Sequence, residues 1–187
     1  MNFTDFFQSV IKVPADFTKL PFPVSTLHIQ KGAVVTDYGQ VEENVYFIQS
    51  GILEMNIKSY MTEKIIDFFF ENEMVCGFTS FLTQQPTDVQ IKALTEVHME
   101  FIRRADLIEA YKDSLEANQF GRVLTEQGYI RKSNREKDLL TKTAEEKYAE
   151  MFATHSKYIS QIPVNKIAKY LGIHPESLSR IRKKLNS

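Results

Sequence analysis

The sequence predicts an α+β chain in three parts: an N-terminal antiparallel β-roll of jelly-roll type, one long helix, and a C-terminal helix-turn-helix. Three observations carry this expectation. Short β-type segments separated by turn residues fill the stretch from Thr26 to Arg103. Helical patterning returns near Ala105 and then runs, largely polar, from Leu115 to about Leu140. Two short amphipathic helices with a glycine between them occupy Val164 to Leu185. The implied divisions are residues 1–114, 115–140 and 141–187.

Taken in order, MNFTDFFQSVI reads as a short helix with Phe3, Phe6, Phe7 and Val10 on one face. Pro14, Pro21 and Pro23 then break the chain into an irregular lead-in. Thr26–Gln30 is the first strand, ended by Lys31-Gly32. Val45–Gln49 is the next, ended by Ser50-Gly51, with Ile52, Met55 and Ile57 continuing beyond it. Lys64–Phe70 and Gln90–Arg103 supply more. Asp106–Ser114 is a short helical piece.

The long helix after Leu115 has only a narrow apolar stripe, Phe120, Val123, Leu124 and Ile130. Such a stripe suits a two-stranded seam between copies of the chain, and Phe120, Val123, Leu124, Gln127 and Ile130 are the expected dimer contacts. Gly121 and Gly128 would each cost about 1 kcal/mol in a helix relative to alanine. Close approach to a partner or a local kink would account for them. Thr143 and Glu146 fit a capping box that opens a new helix with Tyr148, Met151 and Phe152 on its apolar face. Residues 153–163 read as a connector.

In the last stretch Ile167 and Leu171 line one helix face, Gly172 stands where a left-handed cap is wanted, and Pro175 suits the first turn of the next helix. Leu178, Ile181 and Leu185 give that second helix a buried stripe. Its other face carries Glu176, Ser177, Ser179, Arg180, Lys183 and Lys184. Short polar and basic side chains on an exposed helix after a glycine turn are the chemistry of a DNA reader. The competing reading is a solvated basic face.

The overall charge is −1, which by itself argues against a nucleic-acid partner, but its distribution points the other way. From Pro163 onward Lys166, Lys169, Arg180, Arg182, Lys183 and Lys184 face the single anion Glu176. One cysteine, Cys76, excludes a disulfide framework within the chain and reads as a buried structural thiol. No apolar run reaches membrane-spanning length and no signal-peptide pattern opens the sequence, so a cytoplasmic protein without membrane contact is expected. His28, His98, His155 and His174 look scattered, with no zinc-type spacing, and no nucleotide loop or nucleophile elbow is present. Neither an enzyme, a metal site nor a cofactor is expected. Glu42-Glu43 and Glu71-Asn72-Glu73 read as turns.

A β-roll, a long helix and a helix-turn-helix in this order resemble the Crp/Fnr superfamily, the bacterial transcription regulators of the cyclic-AMP receptor protein type. The strongest support is IAKYLGIHPESLSRIRKKL, where Ile167, Gly172, Leu178 and Arg180 fall on the superfamily's helix-turn-helix pattern. VYFIQSGILEM, similar to its aromatic-Ile-x-x-Gly hairpin, and Gly39 add to it. The resemblance implies a homodimer on an inverted repeat in double-stranded DNA, with reading helices about 34 Å apart, and RNA polymerase as a further partner. Arg180 would then bridge guanine, and Glu176 would accept from cytosine. Ser177 and Ser179 would touch bases or phosphates, while Lys166, Lys169, Lys183 and Lys184 would hold phosphates. Only two residues follow Leu185, so no wing is expected beyond the reading helix.

The resemblance also implies a ligand pocket at Gly77, Phe78, Thr79, Ser80, Thr87, Asp88 and Ser133. Here the sequence departs from the cyclic-nucleotide-binding pattern. Phe78 stands at the position of the ribose-binding glutamate, Thr87 at the phosphate-binding arginine and Asp88 at the hydroxyl residue. A buried phosphate needs a cation or a cluster of amides, and no arginine lies between Met1 and Phe101. Lys92 is the nearest cation in sequence. Tight cyclic-AMP binding is therefore not expected. The pocket would take another effector, apolar or neutral, or be vestigial. Ser133 and Asn134 would face it or face solvent. The rival to a DNA reader is a ligand-sensing or protein-interaction module that no longer reads DNA.

Overall fold

The computed structural model describes residues 1–12, 19–60 and 62–185; Pro14 lies outside them. Helix α1 (Phe3–Ile11) opens with a reciprocal capping box between Asn2 and Asp5 and buries Phe3, Phe6 and Phe7. Eight strands follow: β1 (Ser25–Ile29), β2 (Val34–Thr36), β3 (Asn44–Ser50), β4 (Leu53–Ser59), β5 (Thr62–Phe69), β6 (Met74–Val75), β7 (Val89–Ala93) and β8 (Val97–Arg103). A short helix, α2 (Phe78–Thr83), stands between β6 and β7. The strands form two four-stranded sheets in the orders β1-β8-β3-β6 and β2-β7-β4-β5, every pairing antiparallel. Their facing surfaces enclose Tyr46, Ile48, Leu53, Ile91, Val97 and Met99. This is the expected β-roll.

Between β3 and β4 the chain turns at Gly51, whose φ is +99°. A Cβ there would lie 2.4 Å from the carbonyl oxygen of Glu96, so only glycine closes this hairpin. The sequence reading missed β2, β6 and α2. The first two are three and two residues long, too short for a period-2 pattern to register.

Helix α3 (Arg104–Ala110) leads to α4 (Leu115–Thr141), capped by Ser114 and, at 27 residues, about 40 Å long. Helix α5 (Ala144–Ile159) begins with the expected Thr143–Glu146 capping box. It does not stop at Phe152. The chain kinks at His155, with φ −131° and ψ 30°, and the helix runs on to Ile159 through residues read as a connector. The kink coincides with the His155 ring stacked on Phe70 at 4.2 Å, while Ile159 and Ile162 are buried.

Helices α6 (Val164–Leu171) and α7 (Pro175–Leu185) are joined through Gly172, which takes the left-handed cap at φ +71°. Ile167, Leu171 and Leu178 are buried as expected. Leu185 is not, at 46% exposed: it is the last residue of its helix, and the stripe reaches the core only through Leu178 and, in part, Ile181. These helices share a core with the roll. Ile167, Leu171 and Leu178 pack in one cluster with Ile52, Ile65 and Phe68. No helix among the described residues is long and apolar enough to cross a membrane.

Candidate functional site

Helix α7 presents its polar face outward. Glu176, Ser179, Arg180, Lys183 and Lys184 are exposed, and Ser177 is half-buried. Arg180 has no hydrogen bond or ion pair among the described residues, so its guanidinium projects unengaged from the helix. Ser179 donates to the Pro175 carbonyl one turn back, and Lys184 pairs with Glu145 at 2.6 Å. Arg182 instead turns inward, over the ring of Tyr148 at 5.6 Å, and fixes α7 on α5. An exposed face with one unengaged guanidinium flanked by short polar side chains can dock against base edges.

On helix α6 the two lysines expected to hold phosphate pair with carboxylates of the roll. Lys166 reaches the roll, 2.7 Å from the buried carboxylate of Glu54, and Lys169 lies 3.3 Å from Glu63. Both ammonium groups are drawn toward β4 and β5 because those strands turn carboxylates toward the docked helix. The charge count placed them correctly in sequence, but their direction depends on the docking of α6.

The long helix corrects part of the expected seam. Phe120 is fully buried inside its own chain, ringed by Phe3, Phe7 and Phe22 with centroids 5.0–5.8 Å away. The helix at the start of the chain covers it, so it contributes to the internal core and not to a seam. Val123 and Leu124 are half-buried, Gln127 is exposed, and Ile130 is 56% exposed. Gly121 is explained within the chain as well: a Cβ there would lie 2.1 Å from the Tyr111 hydroxyl. Gly128 faces Phe78 at ordinary contact distance. Further along, Arg131 ties α4 to the roll through Asp67 at 2.7 Å and Glu73 at 3.1 Å. Glu73, and Glu71 beside it on Tyr158 at 2.8 Å, therefore do more than form the turn at Asn72.

Of the residues expected in the ligand pocket, Gly77, Ser80 and Thr87 lie together around Glu42, a residue expected in a turn. Glu42 is 2% exposed. Its carboxylate accepts from the Thr36 hydroxyl at 2.7 Å, the Asn44 amide at 3.1 Å and the Gly77 amide at 3.2 Å. Its own amide donates to the Ser80 hydroxyl at 3.0 Å. Three donors compensate a buried charge that would otherwise be costly. Burial, and then the Glu42 charge, push the Tyr46 phenol up to about 12 and raise the Cys76 thiol as well. Thr87 lies against Gly77, 3.2 Å from where its Cβ would be. The other expected pocket residues do not join them. Phe78 turns toward α4, Thr79 and Asp88 are exposed, and Ser133 is half-buried on α4. No sequence signal marks Glu42 as buried, since its partners come from three segments, at Thr36, at Asn44 and at Gly77 with Ser80.

The histidines also differ from the sequence reading. His28 and His98, seventy residues apart in sequence, are direct cross-strand partners on β1 and β8.

Comparison with known proteins shows which domain family and which fold the chain is similar to. Residues 26–114 match the cyclic nucleotide-binding domain family. The chain as a whole has the fold of Crp/Fnr-type transcription regulators. FixK2 from Bradyrhizobium japonicum superposes with a TM-score of 0.71 at 18% identity, over 88% of this chain and 85% of that one. A protein from Eubacterium rectale assigned to the transcriptional regulators of the Crp/Fnr family gives 0.68 at 18% identity, over 100% and 84%. The c-di-GMP responsive global regulator CLP of Xanthomonas campestris gives 0.63 at 17%, over 87% and 86%. No curated protein sequence matches the chain.

Proposed function

We propose that this chain is a sequence-specific, homodimeric DNA-binding transcription regulator whose cassette does not hold a cyclic nucleotide. The observation that carries the reading is α7, with Arg180 unengaged among exposed Glu176, Ser179, Lys183 and Lys184 after a glycine-capped turn. Arg180 reads guanine in the major groove, Glu176 reads cytosine, and the serines and lysines set register and affinity. The dimer forms along α4, where Ile130 and Tyr129 remain exposed for a helix from a second copy.

Against a cyclic nucleotide stands Glu42. A helix N-terminus is where an incoming phosphate would find amides, and at α2 the Gly77 amide already donates to an internal carboxylate. A phosphate there would face the Glu42 carboxylate, which already takes the Gly77 amide. The engagement of Lys166 and Lys169 by the roll favours a second reading, a ligand-sensing or protein-interaction module that does not read DNA.

Fluorescence anisotropy of a labelled duplex at increasing salt separates the two. A DNA reader loses affinity along a straight line in log salt, with a slope set by the phosphates contacted. A module that has lost DNA reading shows no duplex affinity at low salt. Calorimetric titration with cyclic AMP yields no saturable heat if the cassette is closed to it.

A further inference from the structure

We infer that His28, Glu96 and His98 form a surface site for a first-row transition-metal dication of the zinc type. The three side chains each offer one donor atom, and those atoms lie within 4.8 Å of one another. The fold makes this cluster. The β1–β8 register sets His28 directly opposite His98, which brings their Cβ atoms to within about 5.5 Å on one face of the sheet. Glu96 precedes His98 by two residues and so shares that face.

The metal-free arrangement is already a close one. The two imidazoles stack with centroids 4.2 Å apart and planes within 6°. His28 Nε2 is hydrogen-bonded to Glu96 Oε1 at 2.5 Å. Two neutral imidazoles and a carboxylate are a donor set that zinc accepts with three protein ligands and a water. Zinc–ligand bonds of about 2.0–2.2 Å on a tetrahedral ion put neighbouring donors roughly 3.3 Å apart. The His28–Glu96 pair therefore opens from 2.5 Å while wider separations close, and the rings leave their parallel stack, because lone pairs in parallel planes do not meet at one point. All three side chains are exposed, so these rotations displace no packed neighbour. The proton on His28 Nε2 moves to Nδ1 through solvent, which frees Nε2 as a ligand. Glu96 then exchanges its hydrogen bond for a bond to the metal.

The next carboxylate along this face is not available in the same way. Glu100 is held by the Phe3 amide and the Gln49 side chain, both at 2.7 Å. Among the described residues the Glu96 carboxylate is engaged by His28 alone. Strand β1 is the edge of its sheet, so an ion bridging His28 to His98 clamps that edge strand to its neighbour.

The test uses the untagged full-length chain, since a polyhistidine tag would itself bind the probe. Zn²⁺ is titrated against a chromogenic competing chelator, and melting is followed with and without Zn²⁺. The expected result is one Zn²⁺ per chain and a rise in melting temperature on addition of metal. His28→Ala and His98→Ala should each weaken binding at least about tenfold and abolish the rise. Glu96→Gln should weaken it as well, while His174→Ala should not. Metal-free melting equal to the parent's establishes that the variants are folded. The inference is overturned if the parent binds no Zn²⁺ saturably, or if its affinity is the same in His28→Ala and His98→Ala.

Discussion

The Lys166 ammonium lies 2.7 Å from Glu54 Oε1, joining helix α6 to strand β4 inside the roll. Glu54 is 1% exposed, and its second oxygen has no hydrogen-bond partner among the described residues. The carboxylate therefore depends on this lysine and on Asn56, which donates at 3.2 Å.

Removing the lysine alone leaves a buried anion with little compensation. Lys166→Ala should cost about 3 kcal/mol of unfolding free energy, most of it the unpaired charge. Replacing both partners by apolar residues of similar size, Glu54→Leu with Lys166→Met, should recover most of that loss. Urea denaturation of the single and double variants measures both. A single variant within about 0.5 kcal/mol of the parent, the range of an ordinary surface substitution, would show that the pair does not hold the docked helix.

Gly121 owes its place to Tyr111. Gly121→Ala drives a methyl into the phenol and should destabilise the chain by about 1–3 kcal/mol. Tyr111→Ala makes room, so the cost of the added methyl should largely vanish in the double variant. Additive losses in thermal or urea unfolding would contradict the contact.

These two relationships also mark where sequence reasoning ends. Periodicity, caps and turn residues located α1, α4, α6 and α7 and most of the strands, because each signal is local. The glycine at 172 and the capping box at Thr143 are read within four residues. Burial of Phe120 was not legible, because the aromatic cluster that covers it is built from α1 and Phe22, about a hundred residues away. The partners of Lys166, Lys169 and Glu42 were not legible for the same reason: a charge on paper has no direction until the partner element is in place. His28 and His98 became neighbours only through strand register.

Acid should loosen the docking of the C-terminal helices. The Tyr158 hydroxyl and Lys157 hold Glu71 below the usual carboxylate range. At Glu63, burial acts upward but is outweighed by the Tyr38 hydroxyl and Lys169. At Glu73, burial is likewise outweighed by His155 and Arg131. A lowered folded value means that the native state binds fewer protons than the unfolded one. The stabilisation is thus complete above the ordinary glutamate value of about 4.3 and is lost as pH falls through the folded values. Hydrogen exchange of α5 and α6 amides, referenced to β3 and β8, should show selective loss of protection as pH drops below about 4. Uniform loss across the chain would show that these contacts carry no separate docking energy.

Arg180 and Lys183 should fail in different ways. Arg180→Ala should cost about 1–3 kcal/mol on the preferred site and relax preference at one position per half-site. Arg180→Lys should not restore it, since an ammonium cannot bridge two acceptors of guanine. Lys183→Ala should weaken all sequences alike and lower the salt slope by about one. Anisotropy titrations against matched duplexes distinguish these outcomes, and a uniform loss for Arg180→Ala would remove it from the base contacts.

The central claim is that this chain reads DNA as a dimer without a cyclic nucleotide. The most direct measurement is selection from a random duplex library with purified protein and no added ligand. Enrichment of an inverted repeat with half-sites about one helical turn apart is the result expected. A library left unenriched, from protein that also shows no salt-dependent affinity for duplex, would contradict the claim.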